Sequence, residues 1–423
     1  MSKENLANKK EIKEMFRYPI MDAIARRRGR RFPQGCSSPE GMMHYVSNKT
    51  PTPLNDLETS MLCWAGAGVT GIITGDLPTK YGGNIFGSWV GKATPHPCNV
   101  HNTKLFYTND SGTYLYDPQK ATKTVEIETE ADWDKIVAYY KESCTKIMDT
   151  RVEFVPKMLG GTMSWNINRP GTTVFIPVVD QVEEYINFMI SIFEREGFGY
   201  RMVDDMKGCS AGLQKWIDSG QLKGPEIPLS SHELNLLYGN IAPAYMILEN
   251  IHLVAEAMGL GGIMFSGYTG QILLGVTPFS KGLGFSAVTG RDGKPNPVGL
   301  DSIFESYCPP FYKNMDEAVD AFFEKKYGSN GIYKADYTGV TPFKNWRGVQ
   351  PDFNIPSKTS MDQVKAYFNY IYETYGRVPA RFDAKLLPVW LQVHHLDIDF
   401  YDEHFPPEMV TREQRDHMAL WHK

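Results

Sequence analysis

Residues 243–262 read PAYMILENIHLVAEAMGLGG. Apolar side chains fall at 244, 247, 248, 251, 254, 255 and 258. That stripe has the helical period and is wide enough to bury most of a helix, so the spacing predicts a helix over 243–258. It stops at Gly259-Leu260-Gly261-Gly262. One glycine suffices to cap a helix. Three in four positions exceed that need, and glycine lets backbone N–H groups approach a flat ligand with no side chain in between.

Outward from this helix the chain alternates helices with a few strands. KLFYTND-SG-TYLYD, from Lys104 to Asp117, reads as a hairpin of two aromatic-rich runs around a polar turn. TTVFIPVVD, ending at Asp180, reads as a strand, and 180–196 as the helix after it. Helical spacing also marks 5–28, 54–68, 129–148, 315–326, 361–375 and 381–404, with Asn55 or Asp56 capping the second. Scattered strands among helices, without a repeated βαβ unit, predict an α+β fold.

The 423 residues carry 44 Lys+Arg against 49 Asp+Glu and are 42% hydrophobic. That composition suits a globular protein and excludes a disordered chain or a disulfide-stapled mini-protein. A net charge of −5 gives no overall basic field for nucleic acid. No apolar run is long enough to span a membrane, and the charged start MSKENLANKK does not read as a secretory signal. Cys36, Cys63, Cys98, Cys144, Cys209 and Cys308 are widely and irregularly spaced with no C-x-x-C pair. They read as free thiols of a reducing, cytoplasmic compartment.

Three further segments could carry chemistry. Arg26-Arg27-Arg28-Gly29-Arg30-Arg31-Phe32 packs five arginines into six positions. Guanidinium at a helix C-terminus offsets the dipole, but a run this dense also suits a phosphate. Gly91 to His101 gathers His96, Cys98, Asn99 and His101 in a loop before the hairpin. The tail His394-His395-Leu396-Asp397-Ile398-Asp399, with Asp402 and His404, is rich in metal donors. On a helix His395, Asp399 and Asp402 would share a face, but no H-E-x-x-H spacing occurs, and the main reading includes no metal.

Together these residues resemble the FMN-dependent nitroreductase superfamily. Its opening R-R-S-x-R-x-F is similar to Arg26–Phe32, with Arg28 in place of the serine, and its late helix ending A-E-A-x-G-L-G is similar to Ala255–Gly261. Thr94–Asn99 and the hairpin look like the flavin-facing loop of the azoline-oxidase branch. The family's A-P-S-x-x-N-x-Q-P-W segment is replaced here by Ala65–Gly71.

The resemblance implies a mostly antiparallel central sheet flanked by helices, with large insertions and a C-terminal helical extension. It implies a flavin domain over 1–300, with an insertion at about 150–240, and an extension over 301–423 packed on the core or on a partner subunit. It implies FMN held by Arg26, Arg27, Arg28 and Arg30, with Pro95, His96 and Asn99 facing the flavin and Leu260, Gly261 and Gly262 offering amides near N5. Lys281 or Arg291 would complete the phosphate site, and no residue is assigned as catalytic acid, although His96 and Tyr268 lie in the implied flavin loops. The activity implied is hydride transfer to or from a small organic substrate, with NAD(P)H as donor, in a homodimer. Two other readings stand beside it: a flavin-binding or sequestering protein of the same fold, and a metal-dependent enzyme built on His394–Asp399.

Overall fold

Every residue of TVFIPVVD, Thr173–Asp180, is buried, as a strand covered on both faces must be. It lies in the middle of the main sheet of the computed structural model, which describes residues 5–38, 40–74, 88–118, 126–154, 164–194, 199–267, 270–353 and 355–423. The helices of seven residues or more among the described residues are α1 (Lys10–Arg17), α2 (Ile20–Arg26), α3 (Asp56–Ala67), α4 (Trp133–Ser143), α5 (Gln181–Glu194), α6 (Leu229–Met258), α7 (Met315–Tyr327), α8 (Lys358–Tyr375), α9 (Ile398–His404) and α10 (Arg412–Trp421). The strands are β1 (Thr103–Asn109), β2 (Gly112–Tyr116), β3 (Cys144–Met148), β4 (Thr173–Asp180), β5 (Gly261–Phe265), β6 (Lys385–Leu386) and β7 (Trp390–His394).

The sheet order is β5-β7-β4-β1-β2-β3, and β6 pairs with the end of β4. Every neighbouring pair is antiparallel. The fold is therefore α+β, with a central antiparallel sheet and flanking helices. Period-two alternation divides the side chains between two cores. Leu105, Tyr107, Phe175, Val179 and Leu391 face α3 and α6, where they meet Leu62, Ile247 and Ile251. Phe106, Val174, Ile176, Ile263 and Trp390 face the other way, against Leu273, Phe285 and Phe304. A third core joins α5, α7 and α8 through Tyr185, Met189, Phe322 and Tyr367.

Four sequence readings are corrected, the first being the helix placed at 5–28, which breaks at Tyr18-Pro19 into α1 and α2. The helix placed at 243–258 starts at Leu229 and runs 30 residues through Pro243. Proline lacks a donor and normally opens a helix rather than lying inside one; here burial on both sides of it overrides that signal. Residues 144–148 leave the helix and become the edge strand β3, paired to β2. Residues 381–404 are not one helix: 385–386 and 390–394 are strands, and only 398–404 is helical. The alternating VWLQVH segment satisfies its backbone between β5 and β4, at Gly261↔His394 and Leu391↔Phe175.

Candidate functional site

The arginine run and the glycine bend meet within one chain. α2 packs on α6, and the Arg30 carbonyl oxygen lies 2.9 Å from where a Cβ on Gly261 would stand. The arginines differ sharply in their surroundings. Arg30 is buried: its Nη1 donates to both oxygens of Glu256 at 3.0 and 3.1 Å, and its Nε donates to the Met409 carbonyl at 2.7 Å. Burial raises the Glu256 carboxyl, and Arg30 opposes that rise. Arg26 and Arg27 are exposed and loosely paired, to Asp22 at 3.7 Å and Glu249 at 3.5 Å. Arg28 is exposed and donates to the carbonyls of Ala25 and Arg27.

Two cavities share these arginines. One, of about 240 Å³, is lined by Arg26, Arg28, Arg30, Glu408, Val410 and Thr411. The other, of about 290 Å³, lies between Arg28–Phe32 and an aromatic wall of Trp165, Phe400, Tyr401 and Phe405, with Met43 and Met409. Phe32 stacks on Phe400 at 3.8 Å between ring centroids. A cationic recess beside a flat aromatic one can take an anionic group attached to a planar ring. Glu408 on the wall of the first recess works against the anion.

Each glycine of the bend has a packing partner inside the protein. Gly259 adopts φ 89°, and a Cβ there would stand 2.2 Å from the Glu413 carbonyl oxygen of α10. A Cβ on Gly261 would meet Leu396, Arg30 and His394, and one on Gly262 would meet the His252 ring at 3.0 Å. Leu260 is buried, and its amide donates to Ala255 O at the helix end.

The remaining sequence candidates lie elsewhere. His96 is buried, bonded to Asn102 at 2.9 Å, and burial pushes its pKa down to about 4. Pro95 is exposed; Asn99 takes φ 49° and donates to the Ser88 carbonyl. Thr94–His96 lies beside Pro243 and Ile247 of α6. Asn250 of α6 also donates to Ala93 O and Thr94 Oγ1, so the loop meets the helix six residues, about 9 Å, before Glu256. Lys281 is exposed in the loop between Leu273 and Phe285, across the sheet from α6. Arg291 donates to Glu373 O, beside α8. Neither lines the arginine recess. Tyr268 lies outside the described residues.

The metal donors expected at His394–Asp399 do not share a helical face. His394 ends strand β7. Asp397 accepts from the hydroxyls of Tyr45 and Ser47, Asp399 pairs with Lys49, and Asp402 pairs with Arg415. Among the described residues only His395 of these enters a donor cluster, and its companions are Glu58, His417 and His422. The sequence signal for this group was slight: Glu58 stands three residues after the cap Asn55, and the last two histidines lie at i, i+5, His417 in the short helix α10 and His422 just past its end.

No protein-family model and no curated protein matches the chain. Among solved structures, a Ralstonia eutropha protein with a provisional nitroreductase name is similar over 59% of this chain and 70% of that one. The identity is 14% and the TM-score 0.26, too slight a likeness to transfer any property.

Proposed function

We propose that the protein is an FMN-dependent oxidoreductase acting on a small organic substrate, with NAD(P)H as donor, as a homodimer. The reading is carried by one observation: a recess lined by Arg26 and Arg28 opens beside an aromatic one, at the end of the buried helix α6. Arg26 and Arg28 would hold the phosphate, because their guanidinium groups are the exposed ones. Arg30 is spent on Glu256 and instead fixes the loop that carries Arg28. Trp165, Phe400 and Phe405 would receive the flat ring and exclude water from it. FMN, when bound, supplies the hydride and electron chemistry, and the chain supplies position and electrostatics. The second copy would cover the exposed apolar side chains Ile20, Met21 and Ile24 of α2 and Leu234, Tyr238 and Tyr245 of α6, two helices that pack together.

The absorption spectrum of the purified protein, with and without added FMN, tests this directly. A yellow protein, or one that takes up FMN, is expected. Arg28→Ala should weaken FMN binding by about 1.5–3 kcal/mol, the range for hydrogen bonds to charged groups. A colourless wild type that ignores excess FMN sinks the reading.

The covered glycine bend favours a second reading. With the Leu260 amide used in capping and α10 seated on Gly259, the chain would bind flavin without turning it over. Anaerobic titration with NADH and NADPH separates the two, since only the enzyme bleaches.

A further inference from the structure

We propose that Glu58, His395, His417 and His422 form a closed tetrahedral site for a divalent first-row transition-metal ion of the zinc class. Their donor atoms all lie within 4.8 Å of one another, and Glu58, His395 and His417 are buried. Glu58 Oε1 is 3.1 Å from His395 Nε2, 2.8 Å from His417 Nε2 and 3.2 Å from His422 Nε2. Metal–ligand bonds of ~2.0–2.1 Å place tetrahedral ligand pairs about 3.3 Å apart. The observed spacings come close to that edge.

Proton counting points the same way. Glu58 Oε1, His395 Nε2 and His422 Nε2 form a triangle with sides of 3.1, 3.2 and 3.1 Å. A carboxylate oxygen only accepts, and each Nε2 carries at most one proton. If both nitrogens are protonated, both can donate to Glu58 Oε1, but the 3.1 Å side between them sets two donors face to face with no hydrogen bond. If one is, the other aims a lone pair at the carboxylate. If neither is, all three sides are repulsive. No protonation state makes all three sides hydrogen bonds, whereas one cation bound by all three atoms accounts for every short side.

The outer nitrogens fit as well. His395 Nδ1 lies 2.7 Å from the Thr52 carbonyl oxygen, and His417 Nδ1 lies 2.8 Å from that of Met258. Carbonyls only accept, so both Nδ1 atoms carry the proton, and in the neutral rings Nε2 is left bare toward the proposed ion. Ligating histidines are commonly fixed in this way. Glu58 is anchored too, because its second oxygen accepts from the Asn55 amide at 2.6 Å in the capping box of α3.

Three nitrogens and one oxygen, without thiolate, suit Zn²⁺ or Co²⁺ better than the all-oxygen shells of Mg²⁺ or Ca²⁺. Four protein donors leave no open position, which marks a structural site. The ion would tie the start of α3 and the end of β7 to α10. It would thereby seat α10 on Gly259 and order Thr411, which lines the arginine recess.

The test uses the full chain, stripped with a chelator and then given Zn²⁺ or Co²⁺. Elemental analysis should find about one zinc per chain, with the ion raising Tm. Cobalt should give the intense visible bands of a four-coordinate ion. His417→Gln and His422→Gln should each hold less than about a tenth of that metal. His422 is the most exposed of the four, so its variant is the one least disturbing to folding, and circular dichroism checks that it folds. A wild type that takes up neither ion overturns the proposal. So does a folded His422→Gln variant with the wild-type metal content. The assay contains no flavin, so its outcome is separate from that of the cofactor reading.

Discussion

Arg30 and Glu256 form an ion pair almost wholly removed from water, with side chains 4% and 2% exposed. Breaking such a pair strands a buried charge and costs about 3–5 kcal/mol, while replacing both partners by apolar groups is often neutral. Arg30→Ala should therefore destabilise the protein by roughly that amount in urea unfolding. Arg30→Met with Glu256→Leu should recover most of the loss. A role in phosphate binding alone would leave the stability of Arg30→Ala unchanged.

The glycine bend gives a second discriminating experiment. Gly259 needs a positive φ, and α10 stands against it. Gly259→Ala meets both obstacles, so it should cost more than about 1 kcal/mol, the scale of an alanine forced to positive φ. Limited proteolysis should then release α10 first. If the glycine serves only a bound ligand, the substituted chain unfolds like the wild type.

The hairpin, β4, α3 and α5 were legible because their signals are local: alternation, a capping box, a helical stripe. The strands at 385–394 were not. Their pairing partners, Gly261–Phe265 and Thr173–Asp180, lie more than a hundred residues away, and LLPVWLQVHH reads equally well as an apolar helix. The arginine run was legible as a cluster, but its division into a buried structural member and exposed ones depends on Glu256, 226 residues later. The Glu58 cluster was invisible for the same reason, since its members come from three distant segments.

His252 is buried on α6, and burial together with Arg27 and Arg30 pushes its pKa down to about 4. Neither ring nitrogen has a hydrogen-bond partner among the described residues. The unfolded chain binds this proton near pH 6.5 and the folded chain only near 4. Stability from this site is therefore whole above pH 6.5 and falls as the pH drops through that window, by about 1.4 kcal/mol per pH unit. His252→Leu removes the term. Its stability relative to wild type should rise steadily between pH 6.5 and 4.5 and stay flat between 7 and 8. A pH-independent difference in chemical denaturation would show that the folded imidazole accepts protons freely.

The apolar face of α2 and α6 sets the last prediction. Leu234, Tyr238 and Tyr245 fall within about 40° of one another at 100° per residue. They form a stripe along one side of α6, and Tyr238 is 60% exposed. Ile20, Met21 and Ile24 of α2 are exposed as well. A face of this kind marks an interaction surface, and on the homodimer reading its occupant is the same face of a second chain. Light scattering should then give twice the 47.9 kDa chain mass. Tyr238→Lys buries an unpaired charge on both sides of the two-fold, so dissociation should rise at least ~30-fold, about 2 kcal/mol. The circular dichroism spectrum should be unchanged, because Tyr238 lies outside the core. A wild type that stays at the single-chain mass at high concentration removes the dimer.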